Sequence, residues 1–208
     1  MPTLTTLLLF ALATLIQTAT PGPGLLYLSA RALSQGRRAG FASMFGIESG
    51  EVVWIIAAGT GVAALLSASL ASLTVARFAG AAYLIFLGIQ RWRAVGSLVE
   101  VPRAPIRRIY LQGVVTQLLN PKVVVFFVAF LPQFLNPEHP IGPQVAALGA
   151  VYIAVALVVD TTYVLTAAAV SRRFLQSRVA QRRMGRVSGA TYMALGLAAG
   201  ATGVKSAI

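Results

Sequence analysis

The chain has no cysteine, which excludes disulfides, thiolate metal sites and a cysteine nucleophile. Its one histidine, His139, lies in a proline-rich stretch with no metal-ligand neighbours by spacing. No nucleophile–base set is present, so the sequence offers no enzyme active site and implies no cofactor. Charge is scarce too. Charged residues make up 11% of the 208 and only five are acidic, whereas a soluble domain carries about 25% charged residues. So little polar surface cannot cover a domain in water. The start, Met1-Pro2-Thr3, lacks a basic n-region, and the apolar run behind it is too long for a signal peptide. It reads as a retained membrane helix.

Apolar residues are abundant: 57% of the chain, with a mean hydropathy of +0.79. Several runs approach or exceed the ~18–20 residues that cross a bilayer. The pattern predicts an all-α integral membrane protein with six transmembrane helices, at about 4–30, 41–66, 73–90, 110–131, 144–170 and 187–204. The whole chain, 1–208, reads as one transmembrane domain.

The formal charge of +12 raises the question of nucleic acid. The placement of the basic residues answers it. Fourteen of the 17 Lys and Arg fall in three connections. The first holds Arg31, Arg37 and Arg38; the second holds Arg91, Arg93, Arg103, Arg107 and Arg108. The third holds Arg172, Arg173, Arg178, Arg182, Arg183 and Arg186. By the positive-inside rule these loops are cytoplasmic and both termini face out. The charge is topogenic and meets anionic lipid headgroups, so no nucleic-acid partner is expected.

Two of the helices are interrupted. Thr20-Pro21-Gly22-Pro23-Gly24 breaks the first, and Asn120-Pro121 breaks the fourth. Irregular backbone in a membrane is tolerated only where protein buries it or where it lines a cavity. The layout predicts two inverted three-helix repeats, about 1–93 and about 108–208, joined by a basic cytoplasmic connection at about 91–108. Matched interruptions in inverted halves point to a transporter's binding site near the midplane.

Thr20 and Asn120 are good N-cap residues, with Pro21 and Pro121 suited to the first helical position. Each break is therefore expected to restart a half-helix whose N-terminus points at the midplane. Such ends favour an anionic group, for example an amino-acid carboxylate. Lys122, in the first turn of its half-helix, is disfavoured there and is expected to need a carboxylate from the protein or a ligand.

Four ionisable residues lie inside predicted helices: Glu48, Glu51, Lys122 and Asp160. Each should face the bundle interior and have a partner. Counted from the cytoplasmic ends, Glu51, Lys122 and Asp160 lie roughly 15–18 Å deep and the Pro-Gly break about 10–13 Å deep. All fall near one plane. Glu48 and Glu51 share a helix face and, with Asp160, are candidates to bind a substrate ammonium or carry a proton. Gly46-xxx-Gly50 and Gly196-xxx-Gly200 read as close helix packing that allows a homodimer without requiring it. Trp54 and Tyr83 read more as packing than as cavity lining.

These residues carry a resemblance. The Thr20–Gly24 element, Gly46-xxx-Gly50-Glu51, Tyr83-Leu84-xx-Leu87-Gly88, Asn120-Pro121-Lys122, Phe126-Phe127 and Phe130-Leu131-Pro132-Gln133-Phe134 occur in order along nearly the whole chain. Together they resemble the LysE/RhtB family of amino-acid exporters. The family commonly has Asn in place of Gly24 and Asp in place of Glu51. The resemblance implies a six-helix secondary transporter of the bacterial inner membrane, exporting amino acids or close derivatives by proton antiport. On the residues above, Thr20, Pro21, Gly22, Pro23, Gly24, Glu51, Asn120, Pro121 and Lys122 are expected to bind substrate. Glu51, Asp160 and Glu48 are expected to couple protons. Two rival readings are a divalent-metal or other ion exporter using Glu48, Glu51 and Asp160, and a non-transporting membrane scaffold or sensor.

Overall fold

A computed structural model of the chain describes residues 1–68 and 102–169, with single positions elsewhere. The expected third and sixth helices, Tyr83, the Gly196–Gly200 pair and the third basic connection fall outside these two stretches. Among the described residues every regular element is helical.

Helix α1, Leu4–Ala19, starts where the Thr3 side chain accepts a hydrogen bond from the Thr6 N–H at 3.2 Å. Leu4, Leu8, Leu12 and Ile16, spaced by four, form an outward ridge. Phe10, Ala13, Thr14, Gln17 and Thr18 are buried. Hydroxyls and an amide point in while leucines point out, the reverse of a soluble helix and what a hydrocarbon solvent requires.

The first break lies between α1 and α2, Pro23–Gln35, whose axes differ by 55°. A residue before proline is pushed out of the helical region, and here that happens twice. Thr20 and Gly22 are both extended, at φ −73°, ψ 124° and φ −133°, ψ −176°. The expected assignment is therefore corrected. Thr20 closes α1, its hydroxyl donating to the Ile16 carbonyl at 2.6 Å. The helix resumes only behind Gly22, with Pro23 in its first turn.

The second break follows the expectation. Helix α4, Ile106–Leu118, stops before Asn120, and α5, Pro121–Val125, begins behind it at 47°. The Asn120 side chain accepts from the Lys122 N–H at 3.2 Å. A π-helical turn, Phe126–Phe130, and a 3-10 turn, Leu131–Phe134, carry α5 onward. Two unbroken helices complete the described part: α3, Arg37–Ala68, and α6, Ile141–Ala169. Both are long and apolar enough to cross a bilayer, as are the two bent pairs if each is one span.

Arg31 corrects a second expectation. It sits inside α2 and is buried, not in a solvated loop. Its guanidinium donates to Gln35 Oε1 (2.8 Å), the Pro102 carbonyl (2.7 Å) and Gln112 Oε1 (2.7 Å). The Gln35 amide donates to the Ala104 carbonyl at 3.0 Å. The end of α2 is thereby tied to the start of α4.

Helices α3 and α4 approach until their backbones touch. A side chain on Gly46 would run into the Tyr110 carbonyl, and a Cβ on Gly113 would lie 2.7 Å from the Ser43 carbonyl oxygen. Glycine is required on both sides of this contact.

Two apolar clusters result. One gathers Phe10, Phe126, Phe127, Phe130, Leu148 and Tyr152; the other gathers Leu25, Leu28, Met44, Ile47 and Val164. Along α1–α2, α3 and α6 the buried polar side chains, Gln17 and Thr18, Glu48 and Glu51, and Asp160, fall between the two clusters. That layer is the candidate site.

Candidate functional site

The break between α1 and α2 leaves main-chain carbonyls at the end of α1 short of helical donors, although the Gln17 carbonyl keeps the Thr20 N–H at 3.3 Å. Two side chains take them. Lys122 Nζ donates to the Gln17 carbonyl at 2.6 Å and the Thr20 carbonyl at 2.9 Å. The Tyr163 hydroxyl donates to the Ala19 carbonyl at 3.0 Å. The partner expected for Lys122 is thus corrected in part. Its hydrogen bonds go to a helix C-terminus, where carbonyl dipoles favour a cation, while the Asp160 carboxyl lies near enough to feel its charge. One half of the chain closes the broken helix of the other.

A second set of bonds runs from the other break. Asn120 Nδ2 donates to Gln117 Oε1 at 3.1 Å, and Gln117 Nε2 donates to Glu51 Oε1 at 2.6 Å. The Tyr152 hydroxyl reaches the same Glu51 oxygen at 3.0 Å and Gln17 Oε1 at 3.2 Å. Glu51 Oε2 is buried and meets no amide or hydroxyl donor, and Gln17 Nε2 is buried and meets no acceptor. Neither oxygen of Glu48, one turn before Glu51, meets an amide, hydroxyl or ammonium donor, but the two carboxyls lie close enough to share a proton.

Gln17, Thr18, Gly24, Glu51, Gln117, Asn120, Lys122 and Asp160 enclose a cavity of about 20 Å³, with Leu25 and Ile47 beside them. That is room for a water molecule rather than an amino acid. An apolar cluster lies on either side of the layer, and a solute larger than water needs the helices to separate.

Of the expected site residues, Gly24, Glu51, Asn120, Lys122 and Asp160 line this cavity. Thr20 contributes its carbonyl to Lys122. Pro21, Gly22 and Pro23 shape the break behind it, Pro121 shapes the other, and Glu48 is buried next to Glu51 without lining the space. The start of α5 offers an anion less than expected, because Asn120 already holds the Lys122 N–H. Gln17, Gln117 and Tyr152 were not singled out by the sequence. An uncharged polar residue in a membrane helix carries little local signal, although Gln17 and Gln117 each lie three residues before a break.

Apolar helices, two of them bent, with carboxyls, amides and a lysine turned inward around a cavity define a multi-pass membrane protein. Comparison with known proteins is more specific. The chain belongs to the LysE type translocator family, whose model matches residues 15–203. It is 31% identical over 190 residues to the homoserine/homoserine lactone efflux protein of Salmonella typhimurium, covering 90% of this chain and 92% of that one. It is likewise 31% identical over 196 residues to a membrane protein of Vibrio cholerae, covering 91% and 94%. The leucine efflux protein of Salmonella choleraesuis is 27% identical over 124 residues, 58% of each chain. No solved structure matches the chain.

Proposed function

We propose that the chain is a secondary transporter that exports amino acids or close derivatives, homoserine among them, from the cytoplasm in exchange for protons. The observation that carries this reading is the polar layer. Three carboxyls and one ammonium are buried at the level where both broken helices meet. So costly an arrangement in hydrocarbon marks a solute or ion path.

In this reading Lys122 and the start of α2 at Gly24 hold the substrate carboxylate, and Glu51 Oε2 takes its ammonium. Among the described residues three acidic groups of this layer stand against one cation, Lys122, so the layer needs compensating positive charge. Protons bound at Glu51, Glu48 or Asp160 supply it in one direction, and the substrate ammonium replaces them in the other. The halves rock about this level.

The arrangement of elements supports two inverted repeats. A bent pair followed by one long helix, α1–α2 then α3, recurs as α4–α5 then α6. Arg31 and Gln35 join the ends of the first two basic connections, which supports placing those connections on one face, the cytoplasmic side of a bacterial inner membrane. As for the rival ion exporter, Glu48, Glu51 and Asp160 form no group that could hold a metal ion among the described residues.

Counterflow in reconstituted vesicles tests the proposal. Vesicles loaded with unlabelled homoserine should accumulate external labelled homoserine transiently. Absence of counterflow with homoserine, threonine and leucine alike would leave a scaffold or sensor as the better reading.

A further inference from the structure

The threonines of α1 differ in how they use their hydroxyls. Thr18 donates to the Thr14 carbonyl at 2.8 Å and Thr20 to the Ile16 carbonyl at 2.6 Å. This is the usual economy of a membrane helix, where the hydroxyl bonds one turn back. Thr14 does not follow it. Its side chain is fully buried and its Oγ1 has no partner.

Two more buried groups share that condition. Gln17 Nε2, on the cavity wall, and Trp54 Nε1, on α3, are donors with no acceptor. Their placement follows from helix geometry. Thr14 lies three residues before Gln17 on one face of α1, and Trp54 three residues after Glu51 on one face of α3. Gln17 and Glu51 are joined through the Tyr152 hydroxyl. Because α1 and α3 run in opposite directions across the layer, both three-residue steps lead the same way, by about 4.5 Å, toward the aromatic cluster. Phe10 and Ala58, one turn further still, belong to that cluster.

An unmade hydrogen bond inside a membrane bundle is costly, and here three such groups occur, Gln17 on the cavity wall and Thr14 and Trp54 three residues along from the cavity-lining Gln17 and Glu51. Two are donors only, and the third can donate. We infer that Thr14, Gln17 and Trp54 form a specificity subsite for the substrate side chain, which accepts a side chain ending in a hydrogen-bond acceptor such as a hydroxyl or carbonyl oxygen. The inference rests on the proposed amino-acid export and deepens it. With the amino and carboxylate groups held at Glu51 and Lys122, a side chain of two or three atoms reaches this level. A site built to hydrogen-bond a substrate oxygen discriminates strongly against an analogue lacking it, since its own polar groups then stay unpaired.

The test is the ratio of homoserine to norvaline counterflow in reconstituted vesicles, because norvaline replaces the hydroxyl by a methyl group. The wild-type chain should favour homoserine by tenfold or more. Thr14→Val and Trp54→Phe should each lower the ratio several-fold, and Thr14→Ser should restore it. A wild-type ratio near or below one overturns the subsite, as does an unchanged ratio in both Thr14→Val and Trp54→Phe. Absence of flux for both amino acids in the wild type would instead overturn the export reading. If Thr14→Val fails to fold, the wild-type ratio and Trp54→Phe decide the question.

Discussion

The two oxygens of Glu51 are held differently. Oε1 is fixed by Gln117 and Tyr152, which set the orientation of the carboxyl, while Oε2 meets no amide or hydroxyl donor. Glu51→Gln keeps the volume and removes the charge that an ammonium or a proton would meet. A hydrogen bond to a charged group is worth about 1.5–3 kcal/mol, so counterflow at low substrate should fall by roughly 10- to 150-fold with little loss of thermal stability. Lys122 has the opposite balance. Lys122→Met would remove the side-chain donor to the Gln17 and Thr20 carbonyls; Gln17 keeps the Thr20 N–H, so the main loss falls on Thr20, at about 1–3 kcal/mol for a buried group. It should lose both transport and stability, read as a lower unfolding temperature in detergent. An unchanged unfolding temperature would show that other groups close the first break.

The two breaks are the elements that place these residues, and they show what sequence reveals. Thr20–Gly24 and Asn120-Pro121 were legible because proline and glycine act on their own neighbours, whatever the fold. Glu51, Lys122 and Asp160 were legible because a charge in an apolar run has few uses. Arg31 was misread for a related reason. It ends an apolar run, but the carbonyl of Pro102 that justifies its burial is 71 positions away. The cap at Gly22 was missed because two prolines in succession move the restart by two residues. Gln17, Gln117 and Tyr152 acquire their roles only through contacts between helices. The same holds for Gly113, whose partner Gly46 belonged to a visible small-residue pair. Gly46→Leu should force α3 from α4 and with it Glu51 from Gln117. Overpacking of this kind costs about 1–3 kcal/mol or more, so the variant should lose monodispersity in detergent and transport together.

At the scale of the whole molecule, orientation and coupling are open to direct measurement. The chain has no cysteine, so single introduced cysteines report without background. Arg38 and Glu138 are both exposed. Arg38→Cys should be protected from an impermeant thiol reagent in intact cells, and Glu138→Cys should be labelled; the reverse pattern would invert the proposed topology. The polar layer lies between two apolar clusters, and in an alternating mechanism opening toward one face exposes Glu51 and Asp160 to that face alone. Exchange of a proton for a substrate follows if the two compete for these carboxyls. The decisive measurement is homoserine efflux from loaded vesicles with and without a pH gradient, acidic on the side that receives the substrate. Efflux by the wild-type chain should accelerate severalfold with the gradient, and folded Glu51→Gln, Asp160→Asn and Lys122→Met variants should show little gradient-driven efflux. Equal efflux with and without the gradient, or full acceleration in all three variants, would contradict a transport site at this layer.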